Sequence, residues 1–218
     1  MVKIFCVNTQ TSMTFPEGTA LMDMLPAFEF EKPYPILCAK VNNVSQGLKY
    51  RAFNSRKVEF LDYTSYIGRS VYCNSLCFLL CKAAKDVFPN CRVVLRRPIS
   101  KGYFCSISKG DGGEMTSADL ELIKARMNEL VEADIPFRRH EVLLEEAIGL
   151  FRSLGYEDKV KLLETSGDVY VNYYTLEDTP DYYYEALLSS TGYLKVWSLE
   201  MYRGGMLLRV PSRHKPEE

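Results

Sequence analysis

The hydrophobic pattern changes period once, near residue 63, so the chain must fold as two differently built parts. Before that point, short apolar segments lie between turn signals, as strands do; after it, apolar residues recur at helical spacing. Residues 2–7 read as a strand, 8–12 as a turn and 13–15 as its hairpin partner. Pro16-Glu17-Gly18 is a turn, and Thr19 caps a short helix over 20–25 that Pro26 stops. Pro33 and Pro35 mark a loop, 36–41 is an apolar strand, Asn42-Asn43 a turn, and 57–61 alternates as a half-buried strand should. Four strands around one short helix predict a ubiquitin-like β-grasp unit over residues 1–62.

Beyond it, Ser70 is placed to cap a helix reaching Val87, with Pro89 ending it. Thr116-Ser117-Ala118-Asp119 resembles a capping box with the shorter Asp in place of Glu, and Leu120, Ile123, Met127 and Leu130 share one face behind it. Further helices are predicted over 143–154, with Gly155 at the C-cap, and 157–164. The tyrosine-rich remainder reads as strands at 169–174, 182–188, 193–199 and 206–210. The second unit, 63–211, is therefore α+β, its helices segregated from an antiparallel sheet, and 212–218 reads as a polar linker.

Composition removes several classes. Of 218 residues, 47% are hydrophobic, too many for disorder, and the formal charge of -1 argues against binding nucleic acid by bulk electrostatics. No run approaches the ~18 apolar residues of a membrane helix, and no signal-peptide core follows Lys3, so a cytoplasmic protein is expected. The seven cysteines (Cys6, Cys38, Cys73, Cys77, Cys81, Cys91, Cys105) are odd in number and widely spaced, as reduced thiols are.

Few residues offer chemistry. The loop Gly110-Asp111-Gly112-Gly113-Glu114 lacks the Lys of a Walker A loop and carries acids that would repel phosphate; it reads as the loop before a capped helix. Cys73, Cys77 and Cys81 recur every four residues and form a stripe on one helix, better suited to a core than to the turn-borne knuckles of zinc sites. Arg138-Arg139-His140 reads as a solvated strand edge, with nothing in the spacing to couple His140 to a thiol. Arg96, Arg97 and Lys101 form the better candidate for anion or RNA contact. Tyr173-Tyr174 and Tyr182-Tyr183-Tyr184 have the rings for base stacking, although strand packing accounts for them as well.

Three segments of the first unit, Phe15-Pro16-Glu17-Gly18-Thr19, Ala39-Lys40-Val41-Asn42-Asn43 and Val58-Glu59-Phe60-Leu61, resemble the TGS domain at the N-terminus of threonyl-tRNA synthetases. The second unit is similar to the second additional domain of threonyl- and alanyl-tRNA synthetases, which hydrolyses misacylated tRNA. Asn74-Ser75-Leu76-Cys77-Phe78-Leu79-Leu80 followed by Val87-Phe88-Pro89 tracks that family's His-Ser-x-x-His-Leu-Leu … Phe-Pro helix. Ile99 to Phe104 tracks its Ile-x-x-Gly-Phe-Tyr strand, Asp134-Ile135-Pro136-Phe137 its Asp-Leu-Pro-Phe, and Ser190-Thr191-Gly192 the Ser-Thr-Gly after its Cys-x-x-x-His. The resemblance implies a β-grasp domain followed by an editing-like α+β domain.

It also implies that the editing chemistry is gone. Asn74 and Phe78 stand where the family has two histidines, and Tyr183 and Leu187 where it has Cys and His, leaving a vestigial pocket with no catalytic residue and no metal. Such a pair of domains without a synthetase core resembles the N-terminal half of bacterial uridine kinase-like nucleoside kinases, most of all at Gly102 to Cys105, Thr191 to Tyr202 and Leu207 to Pro211. This implies a regulatory or binding module whose partner is a C-terminal P-loop kinase domain using ATP and Mg2+. The alternatives are a freestanding tRNA-binding module or an altered aminoacyl-tRNA deacylase.

Overall fold

The computed structural model describes residues 1–30, 33–99, 102–110 and 112–217. The first unit contains β1 (Val2–Cys6), β2 (Thr11–Phe15), β3 (Thr19–Ala20), α1 (Leu21–Met24), β4 (Ile36–Val41), β5 (Val44–Gly47), β6 (Arg51–Ala52) and β7 (Arg56–Asp62). Five strands form one sheet in the order β2-β1-β7-β4-β5, with β1 and β7 parallel and the other pairs antiparallel. This is a β-grasp sheet, its inner face closed by Leu21, Met24 and Phe28 over Ile4, Val58 and Phe60. The sheet has one strand more than the hydrophobic pattern suggests, because β5 is short and mostly polar. It exists because Asn42 and Asn43 both adopt positive φ (47° and 68°), the geometry of a tight hairpin turn that Asn tolerates.

The second unit contains α2 (Tyr66–Val87), β8 (Arg92–Ile99), β9 (Gly102–Ser108), α3 (Ser117–Glu132), β10 (Phe137–Leu143), α4 (Leu144–Ser153), α5 (Glu157–Glu164), β11 (Tyr170–Leu176), β12 (Thr179–Asp181), β13 (Ser198–Tyr202) and β14 (Gly205–Arg209). Two antiparallel sheets result, β13-β14-β9-β8 and β10-β11-β12. The chain is thus α+β throughout. None of its helices, among the described residues, is long and apolar enough to cross a membrane.

Helix α2 is the spine. Val71, Leu76, Phe78, Leu79, Leu80 and Ala83 are fully buried on it, and Ser75 and Lys82 are buried with them, so the helix is packed on several sides. Leu37, Cys38 and Leu61 of the β-grasp unit share its core, which joins the two units in one apolar body. Its cap is Ser65, not Ser70: the Ser65 hydroxyl oxygen accepts from the Gly68 N–H at 2.9 Å, while Ser70 donates to the Glu185 carboxylate inside the helix. The earlier start follows from close packing on β7, since a Cβ on Gly68 would lie 2.0 Å from the Asp62 carbonyl oxygen.

The predicted strand over 182–188 does not form. The segment is irregular because side chains rather than a neighbouring strand hold it: the Leu188 N–H donates to Ser75 Oγ at 2.9 Å, and Tyr183 turns inward while Tyr184 is 92% exposed. A 3-10 turn at Thr191–Tyr193 likewise replaces the start of the strand expected from 193, and the ladder begins only at Ser198. Here the Ser-Thr-Gly and Asp-Ile-Pro segments lock together. Thr191, fully buried, donates to the Leu130 carbonyl at 2.5 Å and accepts from the Ile135 N–H at 2.8 Å; the Gly192 N–H donates to Asp134 Oδ1 at 2.9 Å. A Cβ at Gly192 would lie 2.2 Å from that carboxylate oxygen.

Both halves of the capping box at α3 are present: Thr116 Oγ1 accepts from the Asp119 N–H at 3.2 Å, and Asp119 Oδ2 accepts from the Thr116 N–H at 2.8 Å. Lys109 Nζ adds an ion pair at 2.6 Å. The Lys109 ammonium and the two Thr116 donors hold the Asp119 carboxyl down to about 2. A depressed carboxyl stabilises the fold above its unfolded value of ~3.9 and loses that contribution as pH falls toward the folded value. The stability difference between wild type and Asp119→Asn, read from urea midpoints, is therefore expected to be full at pH 6 and to shrink between pH 4 and 2. A difference independent of pH would assign the loss to shape alone.

Candidate nucleic-acid interface

The four positions of the vestigial pocket converge unequally. Asn74 and Phe78, one turn apart on α2, share a helix face. Phe78 is fully buried, with ring centroids 5.8 Å from Phe137 and 5.6 Å from Tyr183; Leu187 belongs to the same core, and Asn74 is half-buried. Burial, with help from the Asp181 carboxylate, pushes the Tyr183 hydroxyl well above its ordinary value. Three apolar or neutral side chains thus occupy this place, and neither a phenyl ring nor an isobutyl group has a lone pair to offer a metal or a water.

The thiol stripe is also core. Cys73 and Cys77 are buried, and burial pushes the Cys81 thiol up to about 12 and the Cys77 thiol well above its ordinary value. Among the described residues no three His, Cys, Asp or Glu side chains are grouped to hold a metal ion. With DTNB at pH 8, the folded protein is expected to react at no more than about one or two of its seven thiols within minutes, and at all seven in denaturant. Rapid titration of Cys77 in the folded state would contradict the burial described, whereas half-buried Cys81 is the thiol expected to react first.

The remaining candidates are dispersed. Arg96 is exposed on β8, the outer strand of its sheet; Arg97 lies in the same strand, and Lys101 lies outside the described residues. The glycine loop serves α3 through its capping box, with Asp111 outside the described residues. Of the tyrosines, Tyr174 is buried, Tyr182 packs on the small core under α4 and α5, and Tyr173 stacks on His140 at 4.9 Å.

A site appears where the two units meet. Arg138, Arg139 and His140 lie on β10, an outer strand, with Arg138 and Arg139 exposed as a solvated edge should be. Across from them stand Gln46, Lys49 and Tyr50 of the β-grasp unit, and between lies a cleft of about 500 Å³ floored by Phe137, Tyr174 and Leu187. Arg139 spans it, donating from Nε to Asn172 Oδ1 at 2.9 Å and from Nη1 to Gln46 Oε1 at 3.1 Å. The walls approach closely at Gly47, where a Cβ would lie 3.2 Å from the Leu187 carbonyl oxygen. Burial lowers the Lys49 ammonium below its ordinary value; Asp134 opposes this, and Arg138 adds to it.

Among the described residues lining the cleft are three cations and no carboxylate, in a chain whose formal charge is -1. The Ser189 hydroxyl at its floor is buried with no hydrogen-bond partner among them. His140 accepts or donates at Nε2 to Thr175 Oγ1, 2.9 Å away, so its partner is a hydroxyl and not a thiol. Sequence reasoning identified the Arg138–His140 edge but not Lys49 or Gln46, which carry no local signal and matter only because the fold sets them opposite. A concave cationic cleft with apolar floor suits a phosphate backbone carrying bases.

No family model matches the chain. It is similar to threonine–tRNA ligases: that of Syntrophotalea carbinolica is 32% identical over 169 residues, 77% of this chain and 26% of the relative. That of Desulforamulus reducens is 28% identical over 179 residues, 82% of this chain and 28% of the relative, and that of Azobacteroides pseudotrichonymphae 25% over 199, 91% and 31%. The chain thus spans less than a third of the length of these curated relatives.

Proposed function

We propose that this chain binds the unpaired acceptor end of a tRNA in the cleft between Lys49 and Arg138–Arg139, without hydrolysing what that end carries. The observation that carries the reading is a cleft whose described lining holds three cations and no carboxylate, in a chain similar to threonine–tRNA ligases along most of its length. Lys49, Arg138 and Arg139 would hold phosphates, and the apolar floor would receive a base. Hydrolysis needs a positioned base or metal to activate water, and Phe78 and Leu187 supply neither. A deacylase of altered mechanism is therefore the weaker alternative.

Placement of this module ahead of an ATP- and Mg2+-dependent kinase domain rests on the nucleoside-kinase resemblance of Gly102 to Cys105, Thr191 to Tyr202 and Leu207 to Pro211; relatives named as tRNA ligases lend it nothing. The test is direct. Full-length tRNA is expected to bind at least about tenfold more tightly than the same tRNA lacking its four unpaired 3′ nucleotides, because the cleft loses its occupant. Mischarged seryl-tRNA is expected to be bound and not deacylated. Equal binding of the two tRNAs would overturn the proposed site; deacylation would overturn the claim of inert binding.

A further inference from the structure

A second concavity, of about 550 Å³, lies elsewhere at the junction of the two units, and it differs in chemistry from the cationic cleft. Its walls are Leu37, Tyr63, Tyr72, Val131, Tyr193 and Val196. The volume falls in the range that accommodates small molecules, and the lining is mainly aromatic and aliphatic, as such sites are. Two of the tyrosines already have hydrogen-bond partners: Tyr63 donates to the Pro211 carbonyl at 2.8 Å, and the Tyr72 hydroxyl donates to the Val196 carbonyl at 3.0 Å while accepting from its N–H at 3.1 Å. Their rings, packed edge to face at 5.1 Å, therefore offer carbon surface rather than hydroxyls.

The rim has the opposite sign to the cationic cleft. Among the described residues lining it, Glu132, Asp134 and Glu217 stand against one ammonium, that of Lys195. Glu132 is the last residue of α3, so the negative end of that helix adds to the field of the carboxylates. Asp134 Oδ1 accepts from the Gly192 N–H at 2.9 Å, which fixes that acid in place.

We propose that this pocket binds a small amine with a flat apolar body, the body between the tyrosine walls and the ammonium at the acidic rim. Aromatic faces attract the same charge that the carboxylates do, so both parts of the site select a cation over its neutral or anionic counterparts. The inference stands apart from tRNA binding, because none of these residues lines the cationic cleft.

The probes are tryptamine, 3-methylindole and indole-3-acetate, which share a ring system and differ in charge. Titrated into the full chain by calorimetry, tryptamine is expected to bind with a Kd of roughly 1 mM or tighter, given its size. Indole-3-acetate is expected to bind at least about tenfold more weakly, with 3-methylindole between. Glu132→Gln should weaken tryptamine severalfold and leave 3-methylindole unchanged, and exposed Lys195→Glu should strengthen tryptamine. Val131→Trp, which fills the pocket, should abolish binding of all three. If Val131→Trp fails to fold, the two rim variants still decide. Equal affinity for the amine and the acid, indifference to both rim variants, or no tryptamine binding up to about 10 mM would overturn the proposal.

Discussion

Phe78→Ala is expected to destabilise the protein by about 3–5 kcal/mol, the cost of deleting a fully buried phenyl group and leaving a cavity. The ring touches Phe137 and Tyr183 and lies in the core that joins the two units, so its loss reaches the β-grasp sheet through α2 as well as β10. At this chain length the effect corresponds to a fall in Tm of roughly 6–20 °C. Phe78→His separates packing from residual site chemistry. An imidazole buried there is held neutral, its folded pKa below the unfolded value of ~6.5. The variant should then lose further stability as pH falls below about 7, because the unfolded state takes up the proton first. Thermal unfolding of both variants at pH 8 and pH 5.5 checks this. A Phe78→Ala cost below about 1 kcal/mol would mean that the position is not part of a close-packed core, and the reading of a filled pocket would fail with it.

How much of this was legible in the residues depends on how local the cause was. The capping box of α3, the Asn42-Asn43 turn and four of the five strands of the β-grasp sheet are set by residues within a few positions of one another, and they stand close to where the pattern puts them. Ser65 replaced Ser70 as a cap because the packing of Gly68 on the Asp62 carbonyl, a tertiary contact, decided where α2 begins. The segment 182–188 has strand composition, yet the Leu188 N–H donating to Ser75 Oγ and the Ser70 hydroxyl donating to Glu185 tie it to α2 as an irregular inlay. The thiol stripe was readable as core because its spacing matches one helix face. The cationic cleft was only half readable. Its β10 side is a run of basic residues, but Lys49 and Gln46 sit in the other unit and have no neighbours in sequence that mark them.

That cleft carries the largest functional prediction. The triple variant Lys49→Glu, Arg138→Glu, Arg139→Glu is expected to weaken tRNA binding on the order of 100-fold at moderate salt, since three cations become three anions along one path. The dependence on salt should change with it. Each single-strand phosphate that the protein no longer neutralises takes about 0.7 off the slope of log K against log salt, so the slope should fall by about 2 for all three. Arg139 also ties the units through Gln46, so Gln46→Ala serves as the structural control. It should leave affinity within a fewfold and Tm nearly unchanged, an exposed hydrogen bond contributing about 1 kcal/mol or less. Arg96→Glu, on the exposed edge of β8, tests whether any basic surface suffices; it should have little effect, because Arg96 lies outside the cleft. If Arg96→Glu weakened binding as much as the triple variant while the salt slope of the triple variant stayed that of wild type, phosphate binding would belong to the β8 edge and the cleft would lose its assigned role.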